Sequence, residues 1–549
     1  MTSMTLPTRR KALKLFAGVP LLPLGASGAA AFLAGCGGGS DDEQAQFAAA
    51  AFTSMAAPTL ANPSAMATTS VGSALKVTMS DQSVRSFDLA YQPFFITGDA
   101  VPDGKGGTML AGGYYDIRNQ PIVDRTVPAS PRQFFSDSPD GTSLLTVPGA
   151  KVEGVKGNPA FAVVQFEYTS FAQDGISDMY GRLPSPIAVL TLDQNPDTGK
   201  LSLVKYHNVD TSSAHGLWIT CGASLSPWGT HLSSEEYEPD AFTAASSSQF
   251  KAFSQNLFGS ETAANPYHYG HLPEVTVKAD GTASIRKHYC LGRISHELVQ
   301  VMPDERTTLM GDDATNGGLF VFVADKARDL SSGTLYVAKV GAGFSVNPAG
   351  PAATLTWIPL GSATSAQIEA LAGSTAPSDI FDLASKDPSD ASFRKTISNG
   401  RTEWLRLKPG MEKAAAFLET HRYAAYVGAS MGFSKMEGTT VNVRDKVAYS
   451  ALQNVQDSMV KGGKGHTDGN GIALDKALKA GAVMALNLRG GQKDLAGAVI
   501  HSDWMPADTR ALITGEDISA DALGNTANPN RIANPDNLKF SEKLRTLFI

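Results

Sequence analysis

Several features are missing from this 549-residue sequence, and each absence narrows what the protein can be. Beyond the N-terminal segment no apolar stretch is long enough to cross a bilayer, so the body of the chain is not expected to span a membrane. The chain also lacks an excess of positive charge, with a net charge of −7. No clean repeat period is visible, so repetition alone does not identify the architecture.

The acidic balance becomes stronger once the N-terminus is set aside. Residues 1–35 carry Arg9, Arg10, Lys11 and Lys14 and no acid, so without them the net charge falls from −7 to −11. A chain this acidic is a poor nucleic-acid binder, and we expect no nucleic-acid partner. It would also repel a phosphorylated substrate unless bound cations reversed the local field, which favours a metal site if the substrate is a phosphate ester.

The N-terminus looks like an export signal. Residues 8–14 resemble a twin-arginine motif around Arg9 and Arg10, and the following apolar run ends in a lipobox at Cys36. We expect residues 1–36 to be a signal peptide, residues 37–75 a flexible linker and residues 76–549 the folded domain. Lipidation of Cys36 would anchor the exported protein to a membrane, in the periplasm or at the cell surface. An ordinary secretory signal or a membrane anchor is the alternative.

Short β-runs separated by Gly- and Asp-containing turns recur along the rest of the chain. Paired runs at 187–193 and 200–206, at 274–278 and 283–288, and at 318–323 and 334–340 predict three hairpins. Such repetition favours a propeller or a large sandwich. Helical spacing predicts helices at 365–371, 411–426 and 474–487, with a further helix possible within 240–258. Residues 361–402 read as an excursion from the β-body.

The segment at residues 215–240 carries the most chemistry. A strand is predicted at 217–220, followed by Cys221, a turn at Pro227-Trp228-Gly229, and then Glu235 and Glu236. A thiolate and carboxylates held by one loop could cradle a metal ion, because sulfur suits iron or zinc and oxygen suits iron or calcium. The alternative is a buried structural cysteine beside a solvated acidic turn.

This segment resembles the PhoX family of bacterial alkaline phosphatases and its relatives of unassigned function. The family signature, Cys-x-Gly-Gly-x-Thr-Pro-Trp-Gly-Thr and then Glu-Glu, stands here as Cys-Gly-Ala-Ser-Leu-Ser-Pro-Trp-Gly-Thr from Cys221, followed by the Glu235 pair. The double glycine is replaced by Ala223-Ser224. Four further segments also match: Gly-Arg-x-x-His-Glu ending at Glu297, the Asp312-Asp313 pair before Gly-Gly-x-Phe, Lys435-Met-Glu437-Gly, and Asn-Pro-Asp536-Asn.

The resemblance implies roles for these residues. The implied metal ligands are Cys221, Glu235, Glu236, Glu297, Asp312, Asp313, Glu437 and Asp536. Lys435 stands where the family often has arginine and would bind phosphate, so the implied catalytic residues are Lys435, Cys221 and Glu437. Each segment also has a structural explanation: a surface His-Glu pair, and Asx or type I turns at the aspartates. A Cys221–Cys290 disulfide is the rival to metal ligation in an oxidising compartment.

The resemblance also implies a fold and an activity. The fold is mainly β, a propeller of about six blades with helical and loop insertions. Because the chain stops at what looks like the start of a buried strand, we expect the propeller to be incomplete at the C-terminus. The activity is hydrolysis of phosphate monoesters of small molecules, with diesters as a further class, at a site that holds Ca²⁺ and Fe³⁺. Separately, we expect the protein to be a monomer. The alternatives are a non-catalytic calcium-binding lipoprotein and a calcium-dependent esterase or lactonase.

Overall fold

A computed structural model describes residues 45–56, 61, 62, 64 and 70–549. Within them lie 29 β-strands and five α-helices, so the prediction of a mainly β protein is confirmed. The predicted signal peptide, Cys36 and the first part of the predicted linker lie outside the described residues. Among the helices of the described part, none has the length and apolar character that a membrane crossing needs.

The chain divides into two compact units, and the smaller one is a three-stranded antiparallel sheet. Its strands are β1 (Phe47–Phe52), β2 (Ser70–Met79) and β3 (Val84–Ala90), paired in that order. The strand β1 and the first part of β2 fall within the linker expected at residues 37–75. The apolar run from Phe47 to Phe52 has sheet-forming aromatic ends and pairs along β2, so this part of the chain is structured where a flexible tether was expected.

The larger unit begins with short ribbons and two four-stranded antiparallel sheets. The ribbons are β4 (Ala100–Pro102) with β5 (Thr108–Leu110), and β6 (Val123–Asp124) with β7 (Arg132–Gln133). The first sheet contains β8 (Pro139–Leu145), β9 (Asn158–Phe166), β10 (Ile187–Gln194) and β11 (Leu201–Asn208). The second contains β12 (Ser224–Leu225), β13 (His231–Leu232), β14 (Leu272–Val277) and β15 (Ala283–His288), with helix α1 (Ser248–Phe258) between β13 and β14 in the chain. The first two predicted hairpins are confirmed by β10–β11 and β14–β15.

A nine-stranded sheet forms the centre of the larger unit. Its strands are β16 (His296–Val301), β17 (Thr307–Gly317), β18 (Phe320–Lys326), β19 (Asp329–Val340), β20 (Ala353–Thr364), and, after an insertion, β24 (Phe433–Asn442), β25 (Val447–Leu452), β26 (Ala482–Arg489) and β27 (Met505–Thr514). Because β17 also pairs with β24, eight of these strands close into a barrel and β16 extends it at one side. The third predicted hairpin is β18–β19.

The insertion between β20 and β24 matches the predicted excursion. It contains helices α2 (Ser365–Ala372), α3 (Pro377–Ile380), α4 (Glu412–Leu418) and α5 (Thr420–Tyr426), and the small sheet of β21 (Phe381–Ala384), β22 (Arg394–Ser398) and β23 (Arg401–Leu407). The single helix predicted at 411–426 is therefore two helices that meet at Glu419. A last ribbon pairs β28 (Lys539–Ser541) with β29 (Thr546–Phe548).

The helix predicted at residues 474–487 is wrong. Most of that segment's apolar residues belong to β26, which pairs with β25 on one side and β27 on the other. Residues 482–486 of β26 are all buried, so the strand has no polar face and its sequence lacks the alternation that marks a half-exposed strand. Gly481, at φ 71°, takes a conformation that a helix interior does not contain.

The propeller remains a prediction. The groups β8–β11, β12–β15 and β24–β27 are four-stranded antiparallel meanders, the unit from which blades are built. The strands β16–β20 and β24–β27, however, are joined in one sheet, and six separate blades are not resolved among the described residues.

Candidate metal centre

Three neighbouring strands each bring one carboxylate to the same place. Glu297 lies in β16, Asp313 in β17 and Glu437 in β24, and β17 pairs with both other strands. Gly311 of β17 allows the close approach: a Cβ atom there would lie 2.2 Å from the backbone oxygen of Glu437 and 2.8 Å from Cβ of Glu297. A side chain at position 311 would therefore push the two strands that carry these glutamates away from β17.

The Cys221 loop packs its backbone against Glu297. Residues 217–220 form no strand, contrary to the sequence prediction, but they are buried. The Cys221 amide donates to Ser234 Oγ at 3.2 Å, and the Gly222 amide donates to Glu297 Oε2 at 3.1 Å. A Cβ atom at Gly222 would lie 2.3 Å from that same oxygen, so only glycine allows this contact.

The departure from the family signature at Ala223 is accommodated by a glycine on another element. Gly141 in β8 faces Ala223, and a Cβ atom built on Gly141 would lie 2.5 Å from the Ala223 Cβ. The Pro-Trp-Gly-Thr turn that follows is anchored away from the metal candidates, because Trp228 Nε1 and Thr230 Oγ1 both donate to Glu274. The loop therefore keeps a defined shape without the double glycine.

The Cys221 thiol is shared by two groups of potential metal ligands. Ligand atoms of Asp140, Glu167 and Cys221 lie within 4.8 Å of one another, and so do those of Cys221, Glu236 and Glu297. The sulfur lies 3.8 Å from Asp140 Oδ2. One thiol and four carboxyl groups thus converge without any intervening side chain of opposite charge.

Lys435 provides the positive charge at the other side of this group. Its Nζ lies 2.5 Å from Asp313 Oδ2, 2.7 Å from the Tyr237 hydroxyl and 3.1 Å from Glu437 Oε1, the last an ion pair without hydrogen-bond geometry. The Tyr237 hydroxyl also donates to Asp313 Oδ2. Lys435 has a φ of 52°, in the left-handed region that non-glycine residues rarely occupy. Such a conformation is held by its surroundings, here by three side-chain partners.

We call the whole set the acidic cluster. Its members are Asp140, Glu167, Cys221, Glu236, Glu297, Asp313, Lys435, Glu437 and Asp536. Burial, reinforced by neighbouring carboxylates, raises the pKa of Glu437 to about 11, of Glu297 to about 8, of Glu167 to about 7 and of Asp140 to about 6. The same two causes raise the pKa values of Glu236 and the Cys221 thiol well above their ordinary values. Seven carboxyl groups and a thiol around one lysine remain ionised together only if further positive charge is bound.

The donor set fits metal ions. Glu297 Oε1 and Asp313 Oδ1 are buried and have no hydrogen-bond partner, which is costly unless a cation binds there. Carboxylate oxygens are the donors that calcium prefers, and a mixed sulfur and oxygen set suits a softer transition metal such as iron. The residues present therefore match the calcium and iron that the resemblance implies.

The structure separates the two members of each adjacent acidic pair. Glu236 and Asp313 join the acidic cluster, whereas Glu235 and Asp312 are engaged elsewhere. The Glu235 carboxylate accepts from the amides of Trp218, Gly270 and His271 and pairs with Lys287 Nζ at 2.8 Å. Asp312 accepts from the Gly318 amide and pairs with His421 at 2.9 Å. Both carboxylates are engaged by other partners, so the structure does not bring these two predicted ligands into the acidic cluster.

The disulfide alternative is excluded. Cys221 and Cys290 are both free, and Cys290 is fully buried with its sulfur 3.2 Å from Leu330 O and from Ser365 Oγ. Asp536, the last predicted ligand, accepts from Gln453 Nε2 at 3.1 Å. Burial, with a smaller contribution from the charge of Asp313, raises the pKa of Asp536, and Asp536 in turn helps to raise the pKa of Asp140.

Two residues of the acidic cluster and one neighbour of Lys435 were not predicted from the sequence. Asp140 and Glu167 are not among the ligands predicted from the sequence, and neither is Tyr237 among the predicted site residues. Asp140 is the second residue of β8, and Glu167 directly follows the last residue of β9. Because β8 and β9 are antiparallel, both residues lie at the same end of the strand pair. The sequence does place a carboxylate at the end of a strand in each case, which is a possible sign of a site residue. Only the pairing of the strands, however, shows that these carboxylates lie near Cys221.

Comparisons with known proteins show the family and the fold of this chain. The model of the family described as alkaline phosphatase PhoX matches residues 191–545. The solved structure of Pseudomonas fluorescens PhoX in complex with vanadate, a transition state analogue, is similar with a TM-score of 0.51 and 18% identity over 82% of this chain and 78% of that one. At this identity the structural likeness shows the fold alone. No curated protein sequence matches.

Proposed function

Because the chain belongs to the PhoX alkaline phosphatase family, we propose that it is an exported, metal-dependent phosphatase that hydrolyses phosphate monoesters of small molecules. The observation that carries this proposal is the convergence of Cys221, Glu236, Glu297, Asp313 and Glu437 around two buried oxygens that lack partners. A phosphate ester carries negative charge, and an acidic site binds it only through bound cations.

Two groups of side chains would hold the metals. Cys221, Glu236 and Glu297 form one group, and Asp140 and Glu167 extend it on the other side of the same thiol. When bound, calcium and iron supply Lewis acidity and neutralise charge on the phosphoryl group. The chain itself contributes a rigid set of donors: amides of Gly222 and Leu298 fix Glu297 Oε2, at 3.1 Å and 3.0 Å, and leave Oε1 for the cation.

Lys435 is the proposed phosphate-binding residue. Burial acts against its charge, but Glu437 and Asp313 outweigh that effect and raise the pKa of Lys435, so the ammonium stays protonated. Its side chain is 19% exposed, which leaves it accessible at the edge of the cluster. Tyr237 positions the ammonium by accepting one of its hydrogen bonds and by presenting its ring 5.3 Å away. The ammonium would bind a phosphoryl oxygen as a point charge rather than as a fork.

The remaining parts of the proposal rest on the sequence and the resemblance. The motif at Arg9-Arg10 and the lipobox at Cys36 support export by the twin-arginine route and lipid anchoring in the periplasm or at the cell surface. Folding before export would allow metals to be loaded beforehand. The four-stranded meanders support a propeller of about six blades, and we propose that the protein acts as a monomer.

A non-catalytic calcium-binding lipoprotein is the second candidate. One observation favours it: the Lys435 ammonium already contacts Asp313, Glu437 and Tyr237, so little donor capacity is left for phosphate. The two candidates differ in whether the protein releases phosphate.

The two cysteines offer a matched test. We expect protein purified after native export to release phosphate from para-nitrophenyl phosphate and to contain iron and calcium by elemental analysis. Cys221→Ser should lose iron and most activity, whereas Cys290→Ser, a buried change outside the cluster, should keep both. A para-nitrophenyl acetate assay tests the esterase alternative. Metal content without phosphate release from mono- or diesters would favour the non-catalytic candidate and contradict our proposal.

A further inference from the structure

A cavity opens beside the acidic cluster. It has a volume of about 530 Å³, and its walls include Thr315, Asn454, Gln456, Lys464 and Lys479. That volume lies within the range of small-molecule sites. Its lining contains hydroxyl and amide side chains as well as apolar surface between the two lysines, and we call it the lysine cleft.

The charge of the lysine cleft is opposite to that of the acidic cluster. Lys464 and Lys479 are both exposed, and neither ammonium has an ion-pair partner within the described ranges. Asp457 is the acidic residue that also lines the cleft, so positive charge is in excess there. Two unpaired cations on opposite segments of one cavity favour an anionic ligand.

Two structural links place the lysine cleft next to the acidic cluster. Thr315, which lines the cleft, lies two residues after Asp313 in β17, at a bulge in the pairing of β17 with β24. The Gln453 side chain bonds both to Asp536 of the cluster, at 3.1 Å, and to the Asn454 amide, at 3.3 Å. The wall of the cleft is therefore continuous with the edge of the cluster.

The Lys479 side of the cleft is tied to the same edge. Asn534, two residues before Asp536, donates from Nδ2 to the backbone oxygens of Lys479, at 2.9 Å, and Gln453, at 3.3 Å. On the other wall, Thr315 Oγ1 donates to Gln456 Oε1 at 2.7 Å, which leaves the Gln456 amide NH₂ to face a ligand. The backbone of both walls is thus fixed relative to the cluster.

From this geometry we propose that the lysine cleft binds the leaving-group part of the substrate and selects phosphate monoesters that carry a second anionic group, such as sugar bisphosphates. The inference rests on the proposed function, because the reacting phosphoryl group is taken to sit at the acidic cluster. One phosphoryl group would contact Lys435 while the second anionic group reaches Lys464 and Lys479.

Binding of non-hydrolysable phosphonates tests this selection without turnover. The probes are phenylphosphonate and two rigid bisphosphonates, with one or two aromatic rings between their phosphonate groups. Calorimetry is done on the full, natively exported, metal-loaded protein. The cleft variant is Lys464→Gln with Lys479→Gln. The matched control is Lys461→Gln with Lys476→Gln, since each of these exposed lysines lies three residues before a cleft lysine and outside the cleft lining.

We expect at least one bisphosphonate to bind the wild-type protein about tenfold more tightly than phenylphosphonate, as charge-assisted contacts to two cations predict. In the cleft variant the affinities for the bisphosphonate and for phenylphosphonate should differ by no more than about twofold. In the control variant the tenfold difference should remain, and added salt should reduce it. An equal preference in wild type and cleft variant, or none in wild type, overturns the inference. Turnover of para-nitrophenyl phosphate on the same preparations separates the two proposals: turnover without the preference contradicts the cleft alone, and the preference without turnover contradicts the proposed phosphatase alone.

Discussion

Two buried groups of acids lie side by side in the larger unit, and they are built on opposite principles. The acidic cluster holds seven carboxyl groups and one thiol around Lys435. The neighbouring paired network holds Glu235, Glu238, Asp240, Asp312, Glu403 and Glu419 with Lys287, Arg401, His421 and Arg422. In the network nearly every carboxylate faces a fixed cation of the chain, whereas in the cluster most face one another.

The pKa values record the difference. Burial acts against ionisation in both groups. In the network His421 overcomes it at Glu238 and lowers the pKa of that carboxyl to about 2, while its own pKa rises to about 10. At Glu235 and Asp312 burial still raises the pKa, although a cation of the chain opposes it at each. In the cluster burial and like charge act together and raise the pKa of Glu297 to about 8. The network therefore stabilises the fold with the charges that the chain supplies, and the cluster depends on cations from outside.

Breaking the network should have the largest effect on stability. Lys287 is 1% exposed and contacts Glu235 Oε1 at 2.8 Å, so Lys287→Met leaves a buried carboxylate without its cation. We expect a loss of about 3–5 kcal/mol in the free energy of unfolding, measured by urea denaturation. Arg328→Met, which breaks the exposed pair with Glu305, is the control and should change stability by less than about 1 kcal/mol. Similar losses in both variants would mean that the network contributes no more than a surface pair.

The same kind of change in the acidic cluster should act on activity instead. In Glu297→Gln the side-chain oxygen still accepts from the amides of Gly222 and Leu298, but one like charge is removed. We expect phosphate release to fall about 10²- to 10³-fold, as for other losses of a charge contact at a transition state. With metals removed by a chelator, the variant should be as stable as the wild type or more stable, because repulsion is relieved.

Thermal unfolding with and without chelator, alongside phosphate release, measures this contrast. Glu305→Gln, on the surface pair, serves as the control for both readouts. A Glu297→Gln protein that is much less stable than wild type in chelator would place Glu297 with the fold-stabilising acids and contradict the distinction between the two groups.

A smaller effect on stability is expected when Asp240 of the paired network is protonated at low pH. Burial opposes ionisation of Asp240, but Arg422 and Arg401 outweigh it and lower its pKa from 3.8 to about 2. Because the folded pKa lies below the unfolded one, this contribution is complete above about pH 4 and is lost as pH falls through 2. The gap corresponds to about 2 kcal/mol. In urea denaturation between pH 5 and 2, Asp240→Asn should lose less stability than wild type, whereas exposed Asp475→Asn should follow wild type.

A structural feature of this protein could be predicted from the sequence when the residues that determine it are close together in the chain. Hairpins such as β14–β15 depend on one turn and two short runs, and local pattern was enough. The strand β26 failed because burial on both faces removes alternation. Within the pairs Glu235-Glu236 and Asp312-Asp313, the choice depends on which face of the backbone points to Cys221, and adjacent side chains point in opposite directions. Asp140 and Glu167 come from another sheet, so no local pattern links them to Cys221.

The smallest expected effect concerns the one cation of the acidic cluster. Lys435 stands where the family often has arginine, and its ammonium is shared among Asp313, Glu437 and Tyr237. Arginine offers five donors in a planar fork, so Lys435→Arg could keep Asp313 and still bind two phosphoryl oxygens. We expect kcat/KM for para-nitrophenyl phosphate to rise about two- to fivefold, mainly through a lower KM. Lys435→Gln, which removes the charge, should lower it. If arginine brings no gain with any ester, phosphate is bound by the metals and the lysine acts only to balance Asp313 and Glu437, which would move Lys435 from the catalytic group to the fixed cations typical of the paired network.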